Sequence, residues 1–434
     1  MQNPPQELVD RMKKKYTYEN PRYNPNDLES KEPQYFKSWE INANWLILDR
    51  AIIDKEKFDG YEVIDERLTV PYKSNCSLPE VREYQTNAIN KMLTYDHGVL
   101  QAPCGSGKSL MLLKIASMLG QKTLILVDEI KLILQWTQNI NKFMNIHNVG
   151  IIGDGQFSVM PFTVATIQTL FKTSKYDWQK LNKSFGTVIF DECQKTPCNT
   201  AQFVINNLFA KIRIGTSATP KRVDGMQVLL WNTIGDIRHV VTDTQLKDEG
   251  KYVDYKVQPV YTGIYEQGSM WVHVVNYLVE IKERNEMIVE NVVKHKDTLS
   301  LVLTNRINHA KTLQQMLLKK GVNVKLLIGE IDSEERERTR NDKRVQCIIG
   351  SSVADKGLDQ KRISNIMLCT PSSNPFLLEQ RIGRARRVFE GKEHAMVYDY
   401  VDKGRLVQKM WKKRQKYYNE SGGIIITQED SNHV

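Results

Sequence analysis

Short apolar runs recur along this 434-residue chain with helix-patterned stretches between them, and they fall into two series. The first lies at 99–102, 123–127, 162–166, 187–190 and 212–215, the second at 299–303, 323–328, 346–350, 364–369 and 395–399. A run such as Thr-Leu-Ile-Leu-Val at 123–127 lacks polar alternation, so a strand built from it must be buried on both faces. A parallel sheet with helices on each side meets that demand, and parallel strands need an intervening crossover, usually a helix. Two such series, in a chain too long for one core, predict an α/β protein with two tandem α/β domains. The stretch 221–262, with Gly225, Gly235 and Gly250, reads as the connection between them. Residues 1–35, rich in Pro, Asn, Lys and Tyr, read as an extended or loosely packed arm. Residues 36–75 carry short apolar runs broken by Gly60 and Pro71 and read as a small α+β accessory unit. The expected domains are therefore 1–75, 76–240 and 241–434.

The formal charge of +10 is unevenly placed, with −2 in residues 1–75 and +12 in the remainder. A basic balance outside the N-terminal segment suits a polyanionic partner such as nucleic acid, although solubility charge alone would look the same. The six cysteines are scattered without a C-x-x-C pair, so neither a zinc site nor a disulfide framework is expected and a reducing, cytoplasmic setting fits. No apolar run approaches the roughly 18 residues that span a bilayer, and no apolar signal core follows Met1. No membrane partner is expected.

Residues 102–109 read Ala-Pro-Cys-Gly-Ser-Gly-Lys-Ser between an apolar strand-like run and a helical pattern. A glycine-rich loop in that position turns backbone N–H groups toward a phosphate chain, which makes Pro103, Cys104, Gly105, Ser106 and Gly107 candidate phosphate-binding residues. Lys108 adds a point charge for the β- and γ-phosphates, and the Ser109 hydroxyl is a ligand for Mg²⁺. Ala102 stands where the general P-loop pattern has its first glycine. Asp191-Glu192 directly follows the apolar run 187–190, at the strand end where ligands bind in open α/β sheets. Asp191 then serves the metal and Glu192 the attacking water. The same pair also suits a helix N-cap with a first-turn acid. Ser217-Ala218-Thr219 could bond the Glu192 region, or be an ordinary Ser/Thr turn before Pro220. In the second series, Arg381, Arg384, Arg386 and Arg387 crowd within seven residues. That crowding asks for an anion such as a γ-phosphate, or else describes a solvated basic face.

Taken in order, these motifs resemble those of superfamily-two helicases over roughly residues 80–405. Arg82-Glu83-Tyr84-Gln85 resembles the adenine-reading motif, Asp128 to Trp136 motif Ia, and Thr166-Ile167-Gln168-Thr169-Leu170 a DNA-contacting motif. Leu303-Thr304-Asn305-Arg306 resembles motif IV, and Ala354-Asp355-Lys356-Gly357-Leu358-Asp359 motif V. Ile152–Gly155 and Ser217–Gly225 are similar to the subgroup of UvsW-type branch-migration helicases and the repair helicase XPB. The resemblance implies two RecA-like domains with parallel sheets and ATP, with Mg²⁺, in the cleft between them. It implies adenine reading by Gln85 with Arg82, phosphate and Mg²⁺ binding by Lys108 and Ser109, and metal and water roles for Asp191 and Glu192. It further implies a ribose-side approach by Gly357 and Asp359, a water-positioning Gln380, and Arg384 and Arg387 on the γ-phosphate. Thr166, Gln168, Thr304, Asn305 and Arg306 are the implied nucleic-acid contacts. Gln194 and Arg386 depart from the family pattern, which has His or Asp and Gly there.

The implied activity is ATP-driven unwinding or remodelling of branched DNA, such as fork regression and Holliday-junction migration. Single-stranded and branched duplex DNA are the expected partners, with replication or recombination proteins beside them. A monomer acting in the cytoplasm of an infected cell, or at a prokaryotic nucleoid, is expected. A duplex translocase of a restriction system and an ATP-dependent RNA helicase are the rival motors, and a slowly hydrolysing nucleic-acid clamp is the non-motor alternative. After the motor-like region only about 30 residues follow, fewer than a nuclease domain needs. The stretch Lys403–Tyr418 interleaves cations and aromatics, as a nucleic-acid contact or as an amphipathic cover.

Overall fold

In a computed structural model of the chain, the ten predicted strands all form, at or within a few residues of the expected positions. The structure describes residues 2–427 apart from 22, 24–33, 54, 59–64, 75, 77, 196, 197, 221, 223, 329–337, 340, 341 and 351–359. Two compact units emerge: Met1–Pro103 with Gly107–Thr242, and Asp243–Val434 with Cys104–Ser106.

Among the described residues the first unit holds an eight-stranded sheet. Its order is Ile237–Val240, His97–Gln101, Ile212–Ser217, Thr187–Asp191, Thr123–Val127, Phe162–Thr166, Gly150–Gly153, Gln156–Phe157. All neighbours are parallel except the last pair, a short antiparallel hairpin. The strand that leads into the glycine loop and the strand that ends in Asp191 therefore flank Ile212–Ser217, and all three open at the same edge. That shared edge is what topology contributes to the site.

The second unit holds a seven-stranded, wholly parallel sheet ordered Val324–Leu327, Cys347–Gly350, Leu299–Leu303, Ile363–Leu368, His394–Lys403, Asp254–Tyr265, Ile424–Ile425. Alternate residues of Leu299–Leu303 enter different cores: Leu299, Leu301 and Leu303 pack with Trp411 and Tyr418, while Val302 packs with Leu313 and Leu317. A strand buried on both faces explains the unbroken apolar run.

One sequence expectation is corrected. The supposed arm contains the helix Gln6–Lys15, whose Leu8 and Met12 join Tyr16, Leu46 and Ile52 in a small core. The i, i+4, i+8 spacing of Leu8, Met12 and Tyr16 carried that signal, which the Pro- and Asn-rich surroundings obscured. This segment belongs to the first unit, where Asn232 donates to Tyr18 Oη (2.8 Å) and Ser38 Oγ (3.2 Å). The connection expected within 221–262 contains the boundary between the two units, at Thr242/Asp243, and also carries the helix Gln227–Thr233 and the twelve-residue strand Asp254–Tyr265. That strand alternates buried and half-exposed residues near the sheet edge, so its period differs from the central runs.

The cation–aromatic stretch near the end is the helix Arg405–Glu420, and it is a cover. Val407, Trp411 and Tyr418 face inward while Lys409, Lys412, Lys413 and Lys416 are exposed. Arg414 departs from the pattern by being buried, bidentate on Asp399 at 2.7 and 2.8 Å. No described helix is long and apolar enough to cross a membrane.

Candidate functional site

The glycine loop bends through two left-handed residues, Gly105 (φ +84°) and Gly107 (φ +81°), before Lys108 opens the helix Lys108–Leu119. Gly107 is required twice over. Its conformation disfavours any Cβ, and a Cβ there would sit 2.4 Å from Gln85 Nε2. Gln85 is itself fixed, because its Oε1 accepts from the Arg82 backbone N–H at 3.0 Å at the start of the helix Glu83–Leu93. The adenine-reading candidate and the phosphate-loop candidate thus abut. Gly107→Ala is expected to lower ATP affinity markedly and to cost about 1–2 kcal/mol of stability through its left-handed backbone, effects that nucleotide titration and thermal unfolding measure separately.

Lys108 Nζ donates to Ala102 O (3.0 Å) and Pro103 O (3.4 Å), while Ala102 N–H bonds Ser217 O (2.9 Å), tying the loop to the neighbouring strand. Ser109 follows Lys108 on the same first helical turn. Asp191 ends its strand with Oδ2 accepting from Trp136 Nε1 (2.9 Å) and Oδ1 from the Glu192 N–H (3.0 Å). Burial, and then the adjacent Glu192, push the Asp191 carboxyl up to about 6, opposed by the Trp136 bond and the Lys108 charge. Asp191 and Glu192 bring two carboxyl groups together with Lys108 near Asp191, a setting that suits a divalent ion.

The shift makes a testable sign. With its native value raised, Asp191 takes up a proton on folding between about pH 4 and 6, so ionising it above that range costs stability. Asp191→Asn is therefore expected to raise the unfolding midpoint at pH 8 more than at pH 5, while abolishing turnover. A pair of thermal scans checks it.

Glu192 occupies a left-handed conformation (φ +52°), uncommon for a non-glycine residue and costing on the order of 1 kcal/mol. Gln194 Nε2 holds it by donating to Glu192 Oε2 at 2.6 Å. Arg222 Nη1 in turn donates to Gln194 O (2.7 Å), with its fork paired to Asp224 (2.8 and 2.5 Å). The departure at Gln194 is thus a positioning bond to the catalytic candidate, and neither it nor Trp136 was assigned such a role from sequence. Trp136 had a signal, since Ile133, Trp136, Ile140 and Met144 share the buried face of their helix. The expected bond from Ser217 or Thr219 to the Glu192 region does not form. Both hydroxyls are buried without a partner, as is Gln194 Oε1.

In the second unit, Gln380 and Arg384 lie half-buried on the helix Pro375–Ala385 and Arg387 just beyond it. Arg386 turns inward. It pairs with Asp243, donates to Val253 O (3.3 Å) and sits 4.6 Å from the Tyr252 ring centroid. Lys392 Nζ accounts for the following turn, donating to Ala385 O (3.1 Å) and Arg387 O (2.9 Å). Burial lowers this ammonium to about 8. The unusual arginine therefore fastens the segment that carries Arg384 and Arg387. Gly357 and Asp359 lie outside the described residues.

The nucleic-acid candidates divide. Gln168 and Asn305 are exposed, and half-buried Arg306 donates to Asn276 Oδ1 at 2.7 Å. Thr166 is buried and caps the helix Ile167–Phe171, accepting from Thr169 N–H at 3.2 Å. Thr304 is buried with its hydroxyl on His309 Nδ1 (2.8 Å), whose Nε2 meets Asn285 Oδ1 (2.8 Å). Burial holds His309 down at about 3, so this network is neutral and structural. These two threonines support the motif loops, and their side chains are not available to a backbone phosphate as placed.

The family described as Type III restriction enzyme, res subunit, matches residues 78–222, and the Helicase conserved C-terminal domain matches residues 283–389. "Probable helicase D10" of Escherichia phage T5 is 26% identical over 98% of this chain and 93% of its own length. "DNA 3'-5' translocase XPB2" of Sulfurisphaera tokodaii is 31% identical over 50% of this chain and 47% of its own. Among solved structures, the ATP-dependent Type ISP restriction-modification enzyme LlaBIII bound to DNA shares the fold at a TM-score of 0.61 and 13% identity. It covers 81% of this chain and 32% of that one.

Proposed function

We propose that the chain is an ATP-dependent DNA helicase of superfamily two, in the group that resembles UvsW and XPB, and that it remodels branched DNA by ATP-driven translocation. The observation that carries the hydrolytic part is the strand edge where Lys108 offsets the charge of Asp191 and Glu192 is bonded into place beside it. There Pro103 to Gly107 cradle the triphosphate, Lys108 takes its end, and Gln85 with Arg82 reads the base. Ser109 and Asp191 hold Mg²⁺, which would neutralise phosphate charge when bound. Glu192 accepts the proton of the attacking water. Gln380, Arg384 and Arg387 are our candidates for the γ-phosphate, and Gly357 and Asp359 for the ribose, roles that rest on the motif resemblance. DNA is held through its backbone by Gln168, Asn305 and Arg306, so binding should weaken with salt and depend little on sequence.

The near full-length match to a phage helicase supports the helicase activity, and the choice of branched DNA rests on the UvsW-like motifs Ile152–Gly155 and Ser217–Gly225. The test is conversion of a synthetic fork and a Holliday junction to regressed or migrated products with ATP and Mg²⁺, using monomeric full-length protein. Products from both, lost in Lys108→Ala, support the reading. One second reading draws on the restriction-enzyme family match over residues 78–222, namely translocation on duplex without strand separation. Displacement of a triplex-forming strand without fork conversion would favour it.

A further inference from the structure

The strand Asp254–Tyr265 ends, after a shift in register, on two exposed groups, Tyr265 (67% exposed) and its pairing partner Lys403. Lys403 Nζ lies 5.4 Å from the Tyr265 ring centroid. The turn beneath this pair is built stiff. Glu266 accepts the Leu406 and Val407 N–H groups at 2.9 and 3.0 Å, capping the helix Arg405–Glu420. Gly404 (φ +128°) permits that approach, since a Cβ there would sit 2.4 Å from Glu266 Cγ. The carboxylate nearest the pair is thus spent on a helix N-terminus, leaving the cation and the ring presented outward.

The surface continues from there. Ile264 and Trp271 pack with Val274, Leu278 and Val407, so the strand end, the helix Trp271–Glu280 and the start of Arg405–Glu420 move as one body. On that body Met270 (57%) and Val272 (54%) are exposed, and Asn276 holds Arg306 of the motif IV loop. A phosphate-directed arginine, a lysine and an exposed ring on one rigid element form the combination that binds unpaired nucleic acid, with cations on the backbone and flat or apolar groups against bases. A duplex hides its base faces and would use only the cations.

Resting on the DNA-motor reading above, we propose that Tyr265 and Lys403, with Met270 and Val272, form a single-strand platform continuing the Arg306 contact on the second unit. Tyr265 stacks on an unpaired base and Lys403 neutralises its phosphate. The experiment measures fluorescence-anisotropy affinity of full-length protein for oligo-dT and for a blunt duplex of equal length. Tyr265→Ala is expected to weaken oligo-dT binding roughly tenfold, with a smaller effect on duplex and unchanged thermal unfolding. Tyr265→Phe keeps the ring and restores affinity, and a photoreactive thymidine in the oligonucleotide crosslinks to the Tyr265 peptide. Unchanged oligo-dT affinity in Tyr265→Ala overturns the platform while leaving the motor reading intact, and marks this face as a protein contact or bare surface. Equal losses on both DNAs also overturn it. Failure of the unaltered protein to bind any DNA removes the platform together with the motor reading.

Discussion

Glu192→Gln is expected to lower DNA-stimulated ATP turnover by about 10²–10⁴-fold while nucleotide binding persists. The amide keeps the shape of the side chain and still offers an oxygen to Gln194 Nε2, whose bond at 2.6 Å sets the carboxylate's position. What it removes is basicity. Lys108 and the loop backbone, which we propose hold the triphosphate, are untouched. Steady-state turnover alongside titration with a fluorescent nucleotide separates the two effects. Unaltered turnover would take the water-activating role away from Glu192, and lost binding would show that the substitution disturbed the loop instead. Arg222→Ala provides the graded comparison, because it removes the 2.7 Å bond to the Gln194 backbone and so loosens Glu192 indirectly.

Arg414→Ala is expected to destabilise the second unit by about 3–5 kcal/mol. Its guanidinium is buried, bidentate on Asp399, and donates a third bond to Ser372 O at 2.9 Å. Removing it strands Asp399 at 1% exposure, with the Tyr418 hydroxyl (2.7 Å) as its remaining side-chain donor among the described residues. The cost comes chiefly from that unpaired buried charge and far less from the lost attraction. Denaturant unfolding of the two variants Arg414→Ala and Lys413→Ala measures it. Lys413, exposed on the same helix, should change stability by no more than about 0.5 kcal/mol.

Much of this protein is legible before any coordinates. Apolar runs with little polar alternation are easily read, so the ten strands of the two series could be read from sequence alone. The alternating strand Asp254–Tyr265 and the helix Gln6–Lys15 were missed because their burial is one-sided and their surroundings are rich in turn formers and charges. The loop and the acidic pair are legible because their chemistry is local, a few residues on one turn. The supports are not. Trp136 reaches Asp191 across 55 positions and Arg222 reaches Gln194 across 28, and no local spacing encodes such pairings. The same limit misread Thr166 and Thr304. Each stands in a matching motif, yet each hydroxyl is turned inward to hold the loop that carries the exposed neighbours.

The central claim is that ATP hydrolysis at the Lys108–Glu192 edge is driven by DNA. Its most direct test is the ATPase rate of the full chain with no nucleic acid, single-stranded DNA, branched DNA and structured RNA at one salt concentration. The account predicts low turnover alone, stimulation by single-stranded DNA and the greatest stimulation by branched DNA. Greatest stimulation by RNA, or none by any DNA, would contradict it.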